Sequence, residues 1–245
     1  MESKFSPSEQ HLINYINNHQ LDIAEMSIVK LSESANVSTA TIVRTMKKLG
    51  YDGFTSFKYS LKEKSPVSFK SLEKVDQEIK SAIMKNEQEV TKTIESLNIG
   101  MIEDTIQKID DAKRIFVFAR GFSELIAKEM TVKLQLVGKY CEMHDDPNII
   151  KTISKKIKKK DLVFFISLSS DTLELVEACQ NCQSNEVTTI NITANTQGKL
   201  YSLADINFVG FKSSISYFPD YEVRSRLPLQ VISRILLDAY SLRKG

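Results

Sequence analysis

The chain holds 245 residues, with 33 Lys and Arg against 31 Asp and Glu, 42% hydrophobic and 26% charged. Those proportions exclude wholesale disorder, and at about 100–200 residues per domain the length predicts one large domain or two modest ones. The opening MESKFSPSEQ has no basic-then-apolar run, no apolar stretch nears the roughly 18 residues that span a bilayer, and three Cys make no disulfide scaffold, so a reducing cytoplasm is expected and no membrane.

The first 64 residues read as short helical pieces at 8–18, 28–35, 39–49 and 55–64. Lys64-Ser65-Pro66 stops the last, since the residue before a proline is pushed out of the helical region. Between 72 and 97, Leu72, Val75, Ile79, Ile83, Val90, Ile94 and Leu97 recur mostly at three- and four-residue steps. That spacing predicts a long amphipathic helix that connects domains, pairs with a second chain, or does both. Asn98 then caps a helix through Ile109.

Beyond it strands alternate with helices. Strands are predicted at 114–119, 139–143, 162–167, 187–193 and 206–209, and helices at 124–137, 149–159, 172–183 and 199–203, before an apolar terminal helix. Unbroken Val, Ile and Phe runs suit a sheet covered on both faces, and the alternation predicts a doubly wound parallel sheet. The run Lys155–Lys160 reads as a solvated helix end rather than a nucleic-acid patch.

Residues 27–49 have the arrangement of a helix-turn-helix. Ile28, Leu31 and Ala35 point inward on a first helix, Asn36-Val37 makes a tight turn, and Ser38 caps a second helix, 39–49. There Ile42, Met46 and Leu49 share one face, while Ala40, Arg44 and Lys47 lie opposite, flanked by Thr41 and Lys48. Gly50 follows where a helix end favours a left-handed residue. Residues 38–64 hold Arg44, Lys47, Lys48, Lys58, Lys62 and Lys64 against Asp52 and Glu63, a local excess hidden by the near-neutral total. Lysines beside a groove would neutralise phosphates and Arg44 could reach a guanine edge; a solvated basic face is the plainer reading of periodicity alone.

The stretch 31–58 resembles the N-terminal domain of RpiR-type transcriptional regulators. Val37-Ser38, Thr41, Arg44, Lys48-Leu49-Gly50-Tyr51, Gly53-Phe54 and Phe57-Lys58 carry the resemblance, and Ser32 departs from the usual Ala. It implies sequence-specific binding of double-stranded DNA, with Ser38, Thr39, Ala40, Thr41, Arg44, Lys47, Lys48 and Lys58 as the expected contacts. Helix-turn-helix proteins usually act as symmetric dimers, so a homodimer or homotetramer on a palindromic operator is expected.

In an open α/β sheet, ligands sit beyond the carboxyl ends of the strands where strand order reverses. With a flavodoxin-like order 2-1-3-4-5, the loops there are Ala119-Arg120-Gly121-Phe122-Ser123 and Ser167-Leu168-Ser169-Ser170-Asp171-Thr172. Both are rich in hydroxyls and lead into helix starts, where free N–H groups attract an anion; simple N-capping would need the same residues. These loops resemble the sugar isomerase (SIS) domain that RpiR-type regulators carry C-terminally. The resemblance implies Gly121, Ser123, Ser167, Ser169 and Thr172 as sugar-phosphate contacts, and it extends to Asn191-Ile192-Thr193, Leu203-Ala204-Asp205 and Glu222 shortly before Ser225-Arg226. Ala119 and Ser170 stand where the family has Gly, so a reshaped site, weak binding or an unusual ligand is expected.

Cys179 and Cys182 form one Cys-x-x-Cys, too few ligands for zinc, and His11, His19 and His144 are scattered, so neither a metal nor a cofactor is expected. His144-Asp145-Asp146 reads as a solvated loop after the second strand. The domains expected are a helix-turn-helix domain, 1–65, a helical linker, 66–98, and a SIS phosphosugar-binding domain, 99–245. The function expected is a DNA-binding regulator of sugar metabolism genes with no catalytic residues. The alternative is a sugar-phosphate isomerase with Glu222 as base and a helical assembly domain.

Overall fold

The computed structural model describes residues 5–63, 76–218 and 224–244. The chain divides into two compact units, Met1–Met84 and Lys85–Gly245. Among the described residues no helix is long and apolar enough to cross a membrane.

The first unit is helical: α1 (Pro7–Glu25), α2 (Ile28–Ser34), α3 (Thr39–Lys48) and α4 (Phe54–Glu63). Its core joins Leu12, Ile16 and Ile23 of α1 to Leu31, Ala35, Ile42, Met46, Phe54 and Phe57. Helix α1 runs on past the predicted end at residue 18 through a kink at His19. Its start is fixed by a reciprocal capping box, in which Ser6 N–H donates to Glu9 Oε2 at 2.7 Å and Glu9 N–H to Ser6 Oγ at 3.3 Å. Between α2 and α3, Asn36 takes a left-handed φ of 49°. Ser32, the departure from the family's Ala, braces that turn by donating to the Val37 carbonyl at 2.6 Å.

Helix α3 starts on Ser38, whose Oγ accepts from Thr41 N–H at 3.1 Å. It ends in a Schellman turn, with Tyr51 N–H on the Met46 carbonyl, Gly50 N–H on the Lys47 carbonyl, and Gly50 at φ +93°. Its buried face is Ile42, Thr45 and Met46. Leu49, expected on that face, is instead 39% exposed, because the helix closes one residue before it and the chain turns away.

The second unit is built on a five-stranded parallel sheet: β1 (Ile115–Ala119), β2 (Cys141–His144), β3 (Leu162–Ile166), β4 (Thr188–Thr193) and β5 (Ile206–Val209), in the order β2-β1-β3-β4-β5. The helices are α6 (Ile99–Asp111), α7 (Glu124–Leu136), α8 (Pro147–Ser154), α9 (Leu173–Ser184), α10 (Lys199–Leu203) and α11 (Leu227–Lys244). Alternate β1 residues supply two cores. Ile115, Val117 and Ala119 pack with α6, α7 and α11, while Phe116 and Phe118 pack with α8, α9 and α10. The doubly wound α/β fold and its strand order are those predicted.

Two further elements differ from prediction. Asp146 caps α8, taking the Asn148 and Ile149 N–H groups, so the helix starts earlier than expected and stops at Ser154. Residues 155–160 are therefore a turn rather than a helix end, held by the buried Asp161, which accepts from Lys158 N–H and pairs with Arg114 through two bonds of 3.1 and 2.6 Å.

The other is helix α5 (Gln77–Glu95), within which the two units divide. Leu72 and Val75, predicted to begin it, lie outside the described residues. Its buried positions are Lys85, Gln88, Glu89 and Thr93, whereas Ile79, Ile83 and Ile94 of the predicted apolar stripe are exposed. The inversion has a local cause. Glu89 Oε1 accepts from Lys85 Nζ and Ser213 N–H, both at 3.1 Å, and Thr93 Oγ1 accepts from Phe211 N–H at 3.0 Å. Helix α5 thus serves as hydrogen-bonding partner to the chain that leaves β5.

Gly198, at the start of α10, sits against the loop after β3. A Cβ there would lie 2.4 Å from the Ser169 carbonyl oxygen and 2.5 Å from that of Ser170, and backbone cannot yield as a flexible side chain would. Gly198→Ala should destabilise the protein by about 1–3 kcal/mol, as overpacking does. A thermal unfolding midpoint lowered by several degrees checks this, and an unchanged midpoint would show that the loop moves freely.

Candidate functional site

The first candidate surface is the outer face of α3. Ser38, Thr39, Ala40, Arg44, Lys47 and Lys48 are all exposed, and Thr41 is half-buried with its Oγ1 2.8 Å from Ser38 Oγ. The structure therefore presents seven of the eight expected DNA contacts along one helix and its cap. Lys58 is the exception: its Nζ donates to the Met26 carbonyl at 2.8 Å and lies over the Phe54 ring, so it bridges α4 to the end of α1.

Two of the cations have a partner that the sequence did not reveal. Glu9, fully buried in the first turn of α1, accepts from Arg44 Nε at 3.0 Å through Oε1 and from Lys48 Nζ at 2.7 Å through Oε2. Arg44 and Lys48 are four residues apart, so they project from the same side of α3 and one carboxylate spans both. Arg44 remains 60% exposed while its Nε is held by Glu9. The Lys48 bond first, then the Ser6 N–H, hold the Glu9 carboxyl at about 2 from an ordinary 4.5, against a burial that pushes the other way.

A depressed carboxyl pKa stabilises the fold fully above its unfolded value, and that stability is lost as pH falls through the folded value. Wild type should therefore exceed Glu9→Gln in stability above about pH 4.5, and the gap should close as pH approaches about 2. Urea unfolding of both proteins across that range is the check. A gap independent of pH would mean that Glu9 is not acting as a charge.

The second candidate is a cleft of about 230 Å³ at the carboxyl ends of β1 and β3, where strand order reverses. It is lined by Ser123 after β1 and by Ser167, Ser169 and Thr172 after β3, with Ile166, Leu168 and Leu175 beneath them. Ser167 Oγ accepts from Ser170 N–H at 3.1 Å, and Ser169 Oγ from Asp171 N–H at 3.4 Å, which fixes the loop while leaving each hydroxyl proton to donate. Thr172 is the N-cap of α9 but makes no side-chain cap bond, so its hydroxyl stands at an open helix start.

The other helix start is closed. Gly121, at φ +58°, is exposed and donates its N–H to Glu124 Oε1 at 2.7 Å, so this expected contact is satisfied within its own loop and does not line the cleft. Glu222 lies outside the described residues.

The two positions where the family has Gly do not obstruct the cleft. The Ala119 methyl is buried in the sheet core, and Ser170, also fully buried, faces away from the lining. Ser170 adopts φ +54°, a conformation that costs an L residue energy. Its hydroxyl offsets that cost by donating to Thr193 Oγ1 at 2.8 Å and accepting from Asn191 Nδ2 at 2.9 Å. Neither side chain is among those that line the cleft.

Sequence reasoning missed the cations. Arg120, Lys212, Arg224 and Arg226 also line the cleft. Arg120 lies within the first loop and Arg226 within the stretch after Glu222 that carries the resemblance, whereas Lys212 and Arg224 come from beyond β5 and no local signal brings them there. Elsewhere, Cys141, Cys179 and Cys182 are buried thiols pushed up to about 12 by burial, and the described residues hold no group of three metal-ligating side chains. His144 closes β2, 3.1 Å from Glu142, and is partly buried rather than in a solvated loop.

Residues 1–66 match the family model for the helix-turn-helix domain of the rpiR family, and residues 108–224 match that for the SIS domain. An uncharacterised HTH-type transcriptional regulator of Caldanaerobacter subterraneus is 30% identical over 218 residues, 84% of this chain and 76% of that one. The chain belongs to the RpiR family of transcriptional regulators. Among solved structures, Vibrio vulnificus NanR complexed with ManNAc-6P shares the fold of this RpiR-family chain at 18% identity and a TM-score of 0.60, covering 98% of this chain and 86% of that one. A phosphoheptose isomerase of Francisella tularensis does so at 17% identity and 0.55, covering 67% and 97%. The SIS fold thus occurs in a regulator and in an enzyme, and fold alone does not choose between them.

Proposed function

We propose that this RpiR-family regulator is a cytoplasmic protein that binds a palindromic operator through α3 and responds to a phosphorylated sugar held in the cleft between β1 and β3. In this reading residues 1–65 bind DNA, 66–98 form the helical linker, 99–245 bind the ligand, and the protein acts as a homodimer or homotetramer without catalysing a reaction. The observation that carries the ligand reading is the cleft itself: three serines and a threonine from two crossovers converge beside arginines and a lysine at an open helix start. Hydroxyls, cations and free N–H groups are what a phosphate ester needs. NanR, bound to ManNAc-6P in a chain of the same fold, adds support for the sugar.

An isomerase would need a base placed to move a proton between adjacent sugar carbons. The polar side chains described around the cleft are hydroxyls and cations, which hold a substrate but do not abstract such a proton. The discriminating assay is turnover of aldose and ketose phosphates by wild type and Glu222→Gln; turnover abolished by that change would establish the enzyme.

The operator, once mapped genomically, gives the DNA test. A bidentate arginine–guanine contact is worth about 1–3 kcal/mol, so Arg44→Ala should weaken operator binding roughly ten- to hundredfold at fixed salt with the fold intact. Unchanged affinity in a gel-shift titration would remove Arg44 from the interface.

Ligand binding to the folded state raises the melting temperature by mass action. A screen of hexose, amino-sugar and pentose phosphates should yield a stabilising hit, and Thr172→Ala and Ser169→Ala should each shrink its shift. A hit that shifts both variants as much as wild type would place the ligand elsewhere.

A further inference from the structure

The sheet has a second charged end. Opposite the cleft, at the amino ends of β1 and β3, lies a concavity of about 450 Å³. Six cations line it, Lys113, Arg114, Lys156, Lys158, Lys159 and Lys160, and Asp161 is the one carboxylate that does so among the described residues. The whole chain carries only +2, so this concentration is local.

The turn that carries the lysines is held from within. Ile157 is buried in the core that contains Phe116, Asp161 N–H donates to the Lys158 carbonyl at 2.7 Å, and Lys113 N–H donates to the Lys160 carbonyl at 2.9 Å. Asp161 is buried and fully engaged, accepting from Lys158 N–H and from two nitrogens of Arg114. Lys159 pairs with Glu186, but the two side chains are 75% and 71% exposed, where water screens such a pair. Glu142, which acts on Arg114, and Asp111, at the end of α6, do not line the concavity. Lys113, Lys156, Lys158 and Lys160 are exposed and make no ion pair among the described residues.

The lining selects the class of partner. A small phosphate ester is held by enclosed donors, whereas the lysines here stand in solvent. No aromatic ring lines the concavity for bases to stack on, and the Arg114 fork is occupied by Asp161 rather than open to a base edge. What remains is a set of ammonium point charges on a fixed frame. That suits the repeating phosphates of duplex DNA, contacted without regard to sequence.

We propose that the second unit carries its own DNA-binding surface, in which Lys113, Lys156, Lys158 and Lys160 neutralise backbone phosphates. It does not depend on the reading of an operator by α3. The cleft lies at the other end of the same strands, so a ligand there does not compete for these lysines.

The test is titration of the full chain onto a labelled duplex of scrambled sequence, followed by fluorescence anisotropy over a range of salt. Each lysine–phosphate contact contributes about 0.9 to the slope of log affinity against log salt. Lys156→Gln, Lys158→Gln and Lys160→Gln together should lower that slope by roughly two to three and weaken binding at low salt by about tenfold or more. Arg at the same three positions should keep the wild-type slope. In an Arg44→Ala, Lys47→Ala background the Gln changes should remove as much slope again, which separates this surface from α3. A slope that the Gln changes leave unaltered, a slope that the Arg changes lower equally, or no binding of the scrambled duplex at low salt would each overturn the proposal. Retention on anionic phospholipid vesicles that the Gln changes abolish, with the DNA slope intact, would overturn it in favour of a membrane contact.

Discussion

Parallel strands force each crossover out of the sheet plane, and where neighbouring crossovers leave by opposite faces the strand ends between them stay uncovered. In this protein the chain leaves β1 through α7 toward one face and leaves β3 through α9 toward the other, as the two separate cores show. The cleft follows from that topology, and so does its chemistry. The loops 120–123 and 167–172 leave the sheet side by side there, because β1 and β3 pair in register from Ile115 with Leu162 to Ala119 with Ile166. The site's position is a property of the backbone, and its selectivity is a property of the side chains added to it.

The loop after β3 shows how that backbone is kept in a costly conformation. Ser170 holds a left-handed φ that glycine would adopt freely, and it persists because its buried hydroxyl completes a chain from Asn191 to Thr193. Asn191 Nδ2 also donates to Asn207 Oδ1, so the network ties β3's loop to β4 and β5 at once. Gly198 closes the arrangement by letting α10 approach the Ser169 and Ser170 carbonyls at a distance that no Cβ tolerates. A family motif read as a pair of missing glycines therefore misjudges the loop: one glycine position lies within the strand core, and the other has exchanged conformational freedom for hydrogen bonds.

What was legible in the sequence was local or periodic. The capping serine, the Gly50 terminus and the alternating strands each declare themselves within a few residues, and strand order follows from few admissible connections. What escaped depends on partners far apart in the chain. Glu9 meets Arg44 and Lys48 across 35 and 39 positions, and Ser213 meets Glu89 across 124. Periodicity was misleading for α5, where the apolar stripe at Ile79, Ile83 and Ile94 marks the exposed side. The hydrophobic pattern shows that a helix has two faces; the polar groups that must be satisfied decide which one this unit buries.

Glu9 and Glu89 make the same physical point in separate units. Each is a fully buried carboxylate on a helix that contacts no nucleic acid or sugar in the proposed mechanism. Each is matched by a lysine, with Lys48 on Glu9 and Lys85 on Glu89, and each also holds a backbone N–H. Glu89 Oε2 has no hydrogen-bond partner among the described residues, so the carboxylate concentrates its interactions on Oε1. Burying such charges is costly, and replacing them with apolar residues often stabilises a fold, so stability alone does not explain them. Their partners do: Glu9 orients the cations of α3, and Glu89 with Thr93 fixes the backbone on both sides of Lys212. In each unit a buried acid fixes a part of the chain that carries cations of a candidate site, side chains of α3 in one and the backbone at Lys212 in the other.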